Sequence, residues 1–217
     1  MVVWCRLIHG AFWLLYNPLA WAYDGVSWLV SLGQWRVWQR AALAELRGER
    51  VLELAFGTGH MLLELRAARM RPVGLDLSPA MARIARRRVR TAHPGAGVGP
   101  TTPIPLVRGR AQAMPFAGAS FDSLLCTFPA PFIALPDTLR EIARLLSPGG
   151  RAVIVAMSRL ERGGLWSALL EWLYRITGQR GPLPDLEPQL ATLGMTCRAE
   201  WKPAKRSSAL VIVCEKG

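Results

Sequence analysis

The residues best suited to chemistry lie in one stretch, VLELAFGTGH, at positions 51–60. An apolar run that carries Glu53 passes directly into the glycine turn Gly57–Gly59, and a helical pattern follows. Seventeen residues after the turn, a second apolar run ends in the carboxylate of Asp76. A strand, a glycine turn, a helix and a second strand tipped with an acid form the arrangement with which an α/β sheet binds the adenosine part of a nucleoside cofactor.

The spacing of the glycines narrows the class of cofactor. A dinucleotide site requires a third glycine for close packing of the helix on the sheet, and Leu62 occupies that position. A phosphate-binding P-loop is excluded, since no Gly-Lys-Ser or Gly-Lys-Thr follows the turn. The remaining candidate is a ligand with an adenosine but no pyrophosphate, whose amino-acid tail passes over the turn.

The elements that must position these residues alternate between strands and helices, which predicts one α/β domain. Apolar runs predict strands at 50–55, 71–77, 105–108, 121–128 and 151–157, and a terminal antiparallel pair at 195–201 and 209–215. Helices are predicted at 3–16, 18–47 and 58–69, from Ser78-Pro79 onward, within 135–150 up to Pro-Gly-Gly, and at 165–176.

Four of these segments together resemble class I S-adenosylmethionine-dependent methyltransferases. ELAFGTG (53–59) is similar to the first motif of that family, Asp76 to its ribose-binding acid, GRAQAMPFAGASFD (109–122) to the stretch that frames the adenine, and LREIARLLSPGGRAVIV (139–155) to a later helix and strand. The resemblance covers about residues 50–157. It implies a doubly wound, Rossmann-like sheet, mostly parallel with an antiparallel last strand, and helices on both faces.

The same resemblance implies S-adenosyl-L-methionine as the cofactor and a division of the chain. An N-terminal helical cap at 1–47 would be part of the same domain as the cofactor-binding region at 48–217, which would carry a helical insertion at 159–185. Asp76 would accept hydrogen bonds from both ribose hydroxyls, and Tyr23 would close over the cofactor. The cofactor-binding residues implied are Tyr23, Glu53, Ala55, Phe56, Gly57, Thr58, Gly59, His60, Asp76, Leu77, Met81, Arg110, Ala111, Gln112 and Thr127.

The acceptor of the methyl group would lie just past the fourth strand. Apolar residues there, facing the predicted helix at 165–176, suit a hydrophobic acceptor, although that helix could equally just cover the sheet. The predicted acceptor-binding residues are Tyr16, Trp28, Phe128, Pro129, Phe132, Trp166 and Leu170. No catalytic side chain and no metal are predicted, because displacement at a sulfonium methyl chiefly requires alignment and exclusion of water.

A softer resemblance concerns the subfamily. AYDGVSWLVSLGQWRVWQR (22–40) looks like the leader of ubiquinone and menaquinone C-methyltransferases and of related phospholipid methyltransferases. The sequence departs from these relatives at His60, where an acid is usual, and at Arg110, where an Asp commonly meets the adenine amino group. TFPAPF (127–132) also replaces the usual segment after the fourth strand.

The charge of the chain and its cysteine content limit which partners and which cellular compartment are expected. The net charge is +12, and 24 of the 27 cations are Arg, so anionic partners are attracted, whether membrane, nucleic acid or substrate. The arginines of 83–90 are most simply a solvated helix face, with an anionic partner as the alternative. The four cysteines show no paired spacing, so we expect neither structural zinc nor a disulfide, as in a reducing cytosol.

The first forty residues hold six of the nine tryptophans and one acid, Asp24. No uninterrupted apolar run of about 20 residues spans a bilayer, and no cleavage site of a signal peptide follows. Two interpretations stay open, namely helices packed over the domain and helices lying at a membrane interface. We therefore expect a cytoplasmic protein, at the inner face of the membrane if the second interpretation holds.

Three functions are compatible with the sequence. The first is a methyltransferase that acts on a hydrophobic small molecule, a quinone precursor or a lipid. The second is a methyltransferase-fold protein that binds nucleic acid, against which stands the absence of the Asp/Asn-Pro-Pro-aromatic tetrapeptide at Thr127-Phe-Pro-Ala. The third is a non-catalytic partner subunit, because His60 and Arg110 disturb two usual cofactor contacts.

Overall fold

A seven-stranded mixed sheet organises the protein in a computed structural model, which describes residues 10, 14–15, 17–92, 103–160, 186–204 and 207–217. The strand order is β3-β2-β1-β4-β5-β7-β6. The strands are β1 (Arg50–Leu54), β2 (Arg71–Asp76), β3 (Leu106–Arg108), β4 (Phe121–Thr127), β5 (Leu146–Leu160), β6 (Met195–Ala204) and β7 (Ser207–Lys216).

Strands β1 to β5 pair in parallel, whereas β7 runs antiparallel to both β5 and β6. The central strands are buried on both faces, since Leu52, Leu124 and Val153 are all inaccessible to solvent. Such strands form from continuous apolar runs because no face meets water. The predicted fold class and its antiparallel end are thereby confirmed.

Six α-helices flank this sheet in the described part of the chain. They are α1 (Tyr23–Val30), α2 (Trp35–Arg40), α3 (His60–Ala67), α4 (Pro79–Thr91), α5 (Pro136–Leu145) and α6 (Glu187–Ala191), with 3₁₀ turns at Ala20–Ala22, Leu43–Glu45 and Pro131–Ala134. Helix α4 begins as predicted, with Pro79 at its first position and the Ser78 hydroxyl accepting a hydrogen bond from the Met81 amide.

The single long helix predicted at 18–47 is wrong. We call the described part of this region, residues 17–47, the cap segment. It consists of α1 and α2 between two 3₁₀ turns. Helix α1 ends at Val30, and the turn that follows it closes at Gly33, whose amide donates to the Trp28 carbonyl and whose φ is +75°. A left-handed glycine is a common helix stop because it carries no Cβ.

Two further boundaries differ from prediction. Helix α5 ends at Leu145, and β5 begins at once with Leu146, so Ser147–Gly150 belong to the strand as an irregularity between two registers. Strand β5 also continues to Leu160, beyond the predicted start of the insertion at 159. The predicted helices at 3–16 and 165–176 fall almost entirely outside the described residues.

The expectation of no disulfide is also wrong. Cys197 and Cys214 are directly paired residues of the neighbouring strands β6 and β7, and their sulfur atoms are bonded. A pairing between two strands 17 residues apart in sequence shows only once the register is known, so cysteine spacing did not reveal it. Cys126 is free and fully buried.

Candidate cofactor site

The glycine turn joins β1 to α3 at the carboxyl edge of the sheet. Its two positions require glycine for different physical reasons. Gly57 has φ +54°, and a Cβ there would meet nothing within 4 Å, so this position faces open space. Gly59 has φ +80°, and a Cβ there would lie 2.9 Å from the Cβ of Ala85 in α4. The second glycine thus serves helix packing, whereas the first leaves room for a ligand against the backbone.

Asp76 ends β2 and holds the glycine turn in place. Its Oδ2 accepts a hydrogen bond from the Gly57 amide at 2.9 Å, and its Oδ1 accepts one from the Ser78 amide at 2.8 Å. Burial raises the pKa of Asp76, although these backbone hydrogen bonds act in the opposite direction. Each carboxylate oxygen keeps a second lone pair, which a ligand hydroxyl can use.

Glu53 lies in β1 beside Asp76 and is fully buried. Its Oε2 has no hydrogen-bond partner. Burial raises the pKa of Glu53 well above 4.5, and the neighbouring charge of Asp76 raises it further. An unpartnered buried carboxylate is costly, so this pair of acids favours a ligand that brings positive charge or hydrogen-bond donors.

A cleft of about 330 Å³ opens between the cap segment and this edge of the sheet. Its lining comes from two parts of the chain. The cap segment contributes Tyr23, Asp24, Ser27, Trp28, Gly33, Trp35, Arg36 and Gln39, and the strand ends with α3 contribute Ala55, Phe56, Gly57, Thr58, His60, Met61 and Thr127. Eight of the predicted site residues are therefore brought together around one cavity.

Aromatic rings form one wall of this region. Trp35 stacks on Phe128 with ring centroids 4.2 Å apart, and Tyr23 meets the edge of Trp35 at 6.5 Å. Phe128, the first residue after β4, has φ +50°, which turns the chain away from the sheet. Gln39 reaches the same place and donates a hydrogen bond to the Thr127 hydroxyl at 3.0 Å.

An ionic cluster fastens α1 to the glycine turn. The Asp24 carboxylate accepts hydrogen bonds from the Thr58 hydroxyl at 2.7 Å and from the Arg88 guanidinium at 2.6 Å, and His60 Nε2 lies 3.1 Å from it. Arg88 also donates to the Thr58 carbonyl, and Arg36 lies 3.0 Å from His60. Burial would raise the pKa of Asp24, but hydrogen bonds with His60, Thr58 and Arg88 outweigh it and hold that pKa far below its ordinary range.

Sequence reasoning did not find this cluster. The whole of 83–90 was expected to be a solvated face, but Arg88 is turned inward to Asp24. The available signal was the spacing of Ala80, Ile84 and Arg88, which places Arg88 on the α4 face that meets the cap segment.

The remaining predicted residues that the structure describes are not in the lining of the cleft. Met81 is buried against Ala20 and Ala80, and Ala111 and Phe132 pack in or on the main core. Leu77 and Arg110 are exposed, and Gln112 and Pro129 are half-buried. Tyr16, Trp166 and Leu170 lie outside the described residues.

The site fits S-adenosylmethionine better than a dinucleotide. Open space at Gly57 admits a chain of atoms along the backbone, and the acid at the end of β2 has lone pairs for ribose hydroxyls. The unpartnered Glu53 carboxyl suits a ligand that carries ammonium and sulfonium charges. The glycine-turn backbone is already held by Asp76 and Arg88, so the cradle does not depend on a pyrophosphate for its order.

Comparison with known proteins supports this class. Residues 52–154 match a family model described as a methyltransferase domain. The chain is 35% identical over 153 residues to a demethylmenaquinone methyltransferase of Symbiobacterium thermophilum, covering 67% of this chain and 58% of that protein. It is 31% identical over 174 residues to a ubiquinone/menaquinone biosynthesis C-methyltransferase of Paracoccus denitrificans, covering 77% of this chain and 64% of that protein. The chain thus spans less than two thirds of the length of these relatives.

The fold agrees with the family match. A crystal structure from Thermotoga maritima, described as an S-adenosylmethionine-dependent methyltransferase and possible histamine N-methyltransferase, has a TM-score of 0.62 at 18% identity and covers 94% of this chain and 100% of that chain. Residues 52–154 thus match a methyltransferase domain, and the chain has the Rossmann-like fold of S-adenosylmethionine-dependent methyltransferases. S-Adenosylmethionine is the cofactor of that class.

Proposed function

We propose that this chain transfers a methyl group from S-adenosylmethionine to a hydrophobic small molecule, a quinone precursor or a lipid. The observation that carries the proposal is the cleft itself, where the glycine turn, whose Gly57 amide donates to the buried Asp76 carboxyl, lies opposite an aromatic wall. The similarity to two proteins named for menaquinone or ubiquinone methylation supports the choice of acceptor.

The residues of the cleft and the two buried acids at the strand ends divide between the two ligands. Asp76 and Glu53 bind and orient the cofactor, which supplies an activated methyl group on a sulfonium when bound. Tyr23, Trp28 and Trp35 exclude water from the reacting carbon and stack on a planar acceptor. Rate enhancement then comes mainly from holding nucleophile and methyl group in line, which requires rigid walls more than a proton-transferring side chain.

The proposal is tested by titration calorimetry with S-adenosylhomocysteine, followed by methyl-transfer assays. We expect the wild type to bind and Asp76→Ala to lose roughly 100-fold in affinity, since hydrogen bonds to a charged acceptor are worth about 1.5–3 kcal/mol each. Asp137→Ala, an exposed acid on α5, is the matched control and should bind like the wild type.

With radiolabelled cofactor, a short-chain demethylmenaquinone or a phospholipid should become labelled, and a water-soluble amine should not. A wild type that does not bind S-adenosylhomocysteine would contradict the methyltransferase. Binding without transfer to either apolar acceptor would leave the cofactor assignment in place and reject the acceptor class.

A further inference from the structure

The outer face of the cap segment is apolar although it faces solvent. The 3₁₀ turn at Ala20–Ala22 continues directly into α1, and three large apolar residues recur along this stretch at helical spacing, with a fourth, Leu32, in the turn that follows α1. Trp21 is 77% exposed, Trp28 65%, Leu29 63% and Leu32 45%. Positions separated by seven and eight residues fall on one side of a helix. We call these four residues the exposed cap face.

The opposite face of the same stretch is small or polar and is packed inward. Ala20, Ser27 and Ser31 are buried, and Asp24 points to the glycine turn. The serine hydroxyls are satisfied locally, because Ser27 donates to the Asp24 carbonyl and Ser31 accepts from the Trp35 amide. In an ordinary surface helix the apolar side is buried and the polar side faces water. Here the apolar side faces water and the small or polar side is buried. Apolar surface left in water in this way marks a binding surface.

Positive charge is concentrated on α4, the helix against which the cap segment packs. The cap segment packs on α4 through Ala80, Met81 and Ile84, and Arg88 binds Asp24. Arg83 and Arg87 each precede one of these contact residues, so they lie on the adjoining side of α4, and both are exposed. Helix α4 contains no acidic residue, and the one acid between residues 17 and 44 is engaged by Arg88.

We propose that the exposed cap face, with Arg83 and Arg87, docks on the surface of an anionic lipid bilayer. Tryptophan and leucine beside arginine is the composition that is stable at a bilayer interface, where the rings enter the headgroup region and the cations meet lipid phosphates. No helix of the described residues is long and apolar enough to cross a membrane, so docking is peripheral.

The proposed function gives this surface a purpose, although docking itself does not depend on methyl transfer. Trp28 belongs both to the exposed cap face and to the lining of the cleft. Docking would therefore set the mouth of the cleft against the bilayer, where an acceptor too apolar for water is dissolved.

Co-sedimentation with phosphatidylcholine vesicles, with and without 30% phosphatidylglycerol, tests the docking. We expect the full chain to bind the anionic vesicles at low salt and to dissociate as salt screens the attraction. Trp21→Ser/Leu29→Ser should weaken binding at least about tenfold through lost apolar burial. Arg83→Gln/Arg87→Gln should weaken it roughly 30-fold, from about fivefold per cation near an anionic surface.

The matched control is Arg69→Gln/Arg71→Gln, which removes the same charge from exposed residues at the amino end of β2, on the opposite edge of the sheet. This control should bind vesicles nearly like the wild type. None of the six substituted residues lines the cleft, so calorimetry with S-adenosylhomocysteine and thermal unfolding verify that each variant remains folded.

Three outcomes would overturn the proposal. The first is a wild type that stays in the supernatant with anionic vesicles. The second is equal weakening of vesicle binding by the control pair and by Arg83→Gln/Arg87→Gln. That result would show that binding depends on the net charge of the protein and not on these two arginines. The third is a wild-type dimer that the Trp21→Ser/Leu29→Ser variant dissolves and that does not bind vesicles, which would make a second copy the occupant of this face.

Discussion

At the scale of single residues, the site is organised by carboxyl groups in different electrostatic conditions. Glu53 and Asp76 are buried and their pKa values are raised, whereas the pKa of Asp24 is lowered because hydrogen bonds outweigh its burial. Among the described residues neither of the first two forms an ion pair, whereas the third is already paired with Arg88. Glu53 and Asp76 are therefore assigned to ligand binding, whereas Asp24 joins α1 to the glycine turn.

The raised pKa of Glu53 predicts a pH-dependent cost in the free protein. A folded-state pKa above the ordinary 4.5 means that the folded form binds the proton more tightly, so stability falls as the pH rises from 4.5 toward the folded value. Glu53→Gln removes this titration and should unfold at a temperature higher by roughly 2–4 °C at pH 8, the shift that about 1 kcal/mol gives in a chain of this size. At pH 5 the difference should be smaller. Scanning calorimetry without cofactor measures both, and parallel pH profiles would refute the effect.

The Asp24–Arg88 pair predicts that the cap segment supports cofactor binding. Arg88→Gln removes the cation that joins Asp24 to the Thr58 carbonyl, so we expect affinity for S-adenosylhomocysteine to fall roughly tenfold, as for loss of one hydrogen bond to a charged group. Arg90→Gln, an exposed cation of the same helix, is the control and should leave affinity unchanged. Calorimetric titration gives the two dissociation constants. Equal values would show that the fastening has no bearing on the cofactor.

At the scale of secondary-structure elements, the cap segment is fixed to the sheet at two more places. Trp38 of α2 is fully buried and donates through Nε1 to the Ser207 hydroxyl at the start of β7. Glu45 accepts from Arg198 and Lys202 of the edge strand β6. The segment is therefore held along its length, by a buried ring near its middle and an ionic contact near its end.

The contact of Glu45 predicts acid sensitivity at this edge. Hydrogen bonds from Arg198 and Lys202 lower the pKa of Glu45 to about 2. A lowered folded-state pKa gives stability that is present above 4.5 and is lost as the pH falls toward 2. Glu45→Gln should therefore lower the unfolding temperature at pH 6 by roughly 2–4 °C and change it much less at pH 3. Glu200→Gln serves as the control, because Glu200 also meets Lys202 but is 55% exposed. A loss that is the same at both pH values would contradict the assignment.

The elements most accurately predicted from sequence were those defined by local chemistry. The glycine turn, the Ser78 cap and strands β1 to β4 each depend on a few consecutive residues, and each was predicted within two residues of its observed position, whereas β5 extends five residues before and three residues beyond its predicted range. The cap segment was predicted poorly because its tryptophan-rich sequence gives no clear periodicity. The prediction also did not recognise that the chain turns at Gly33 after α1.

Features that depend on register or on distant contacts escaped prediction altogether. The Cys197–Cys214 bond requires the pairing of β6 with β7, and the role of Asp24 requires the packing of α1 on α4. Neither arrangement is written in the spacing of nearby residues. The part of the candidate site that lies at the strand ends was thus predictable from sequence. The part that the cap segment contributes was not.

At the scale of the whole molecule, cofactor binding and folding should be coupled. The cleft joins the cap segment to the sheet, so a ligand that binds there stabilises both together. S-Adenosylhomocysteine at about 100 times its dissociation constant adds about 2.7 kcal/mol, which corresponds to a rise of roughly 5–10 °C in unfolding temperature. Differential scanning calorimetry should show this rise in the wild type and only about 1–2 °C in Asp76→Ala at the same concentration, because a 100-fold weaker site is then half-occupied and gains about 0.4 kcal/mol. A ligand-induced shift of equal size in both proteins would place the ligand elsewhere.

The two hydrogen bonds that Asp76 makes to Gly57 and Ser78 have a consequence for protein engineering. An attempt to make the protein accept cofactor analogues altered at the ribose would naturally begin by replacing this acid. Any such replacement would also release the glycine turn, so selectivity and local order would change in one step. Engineering for such analogues should instead leave Asp76 in place and vary residues that line the cleft.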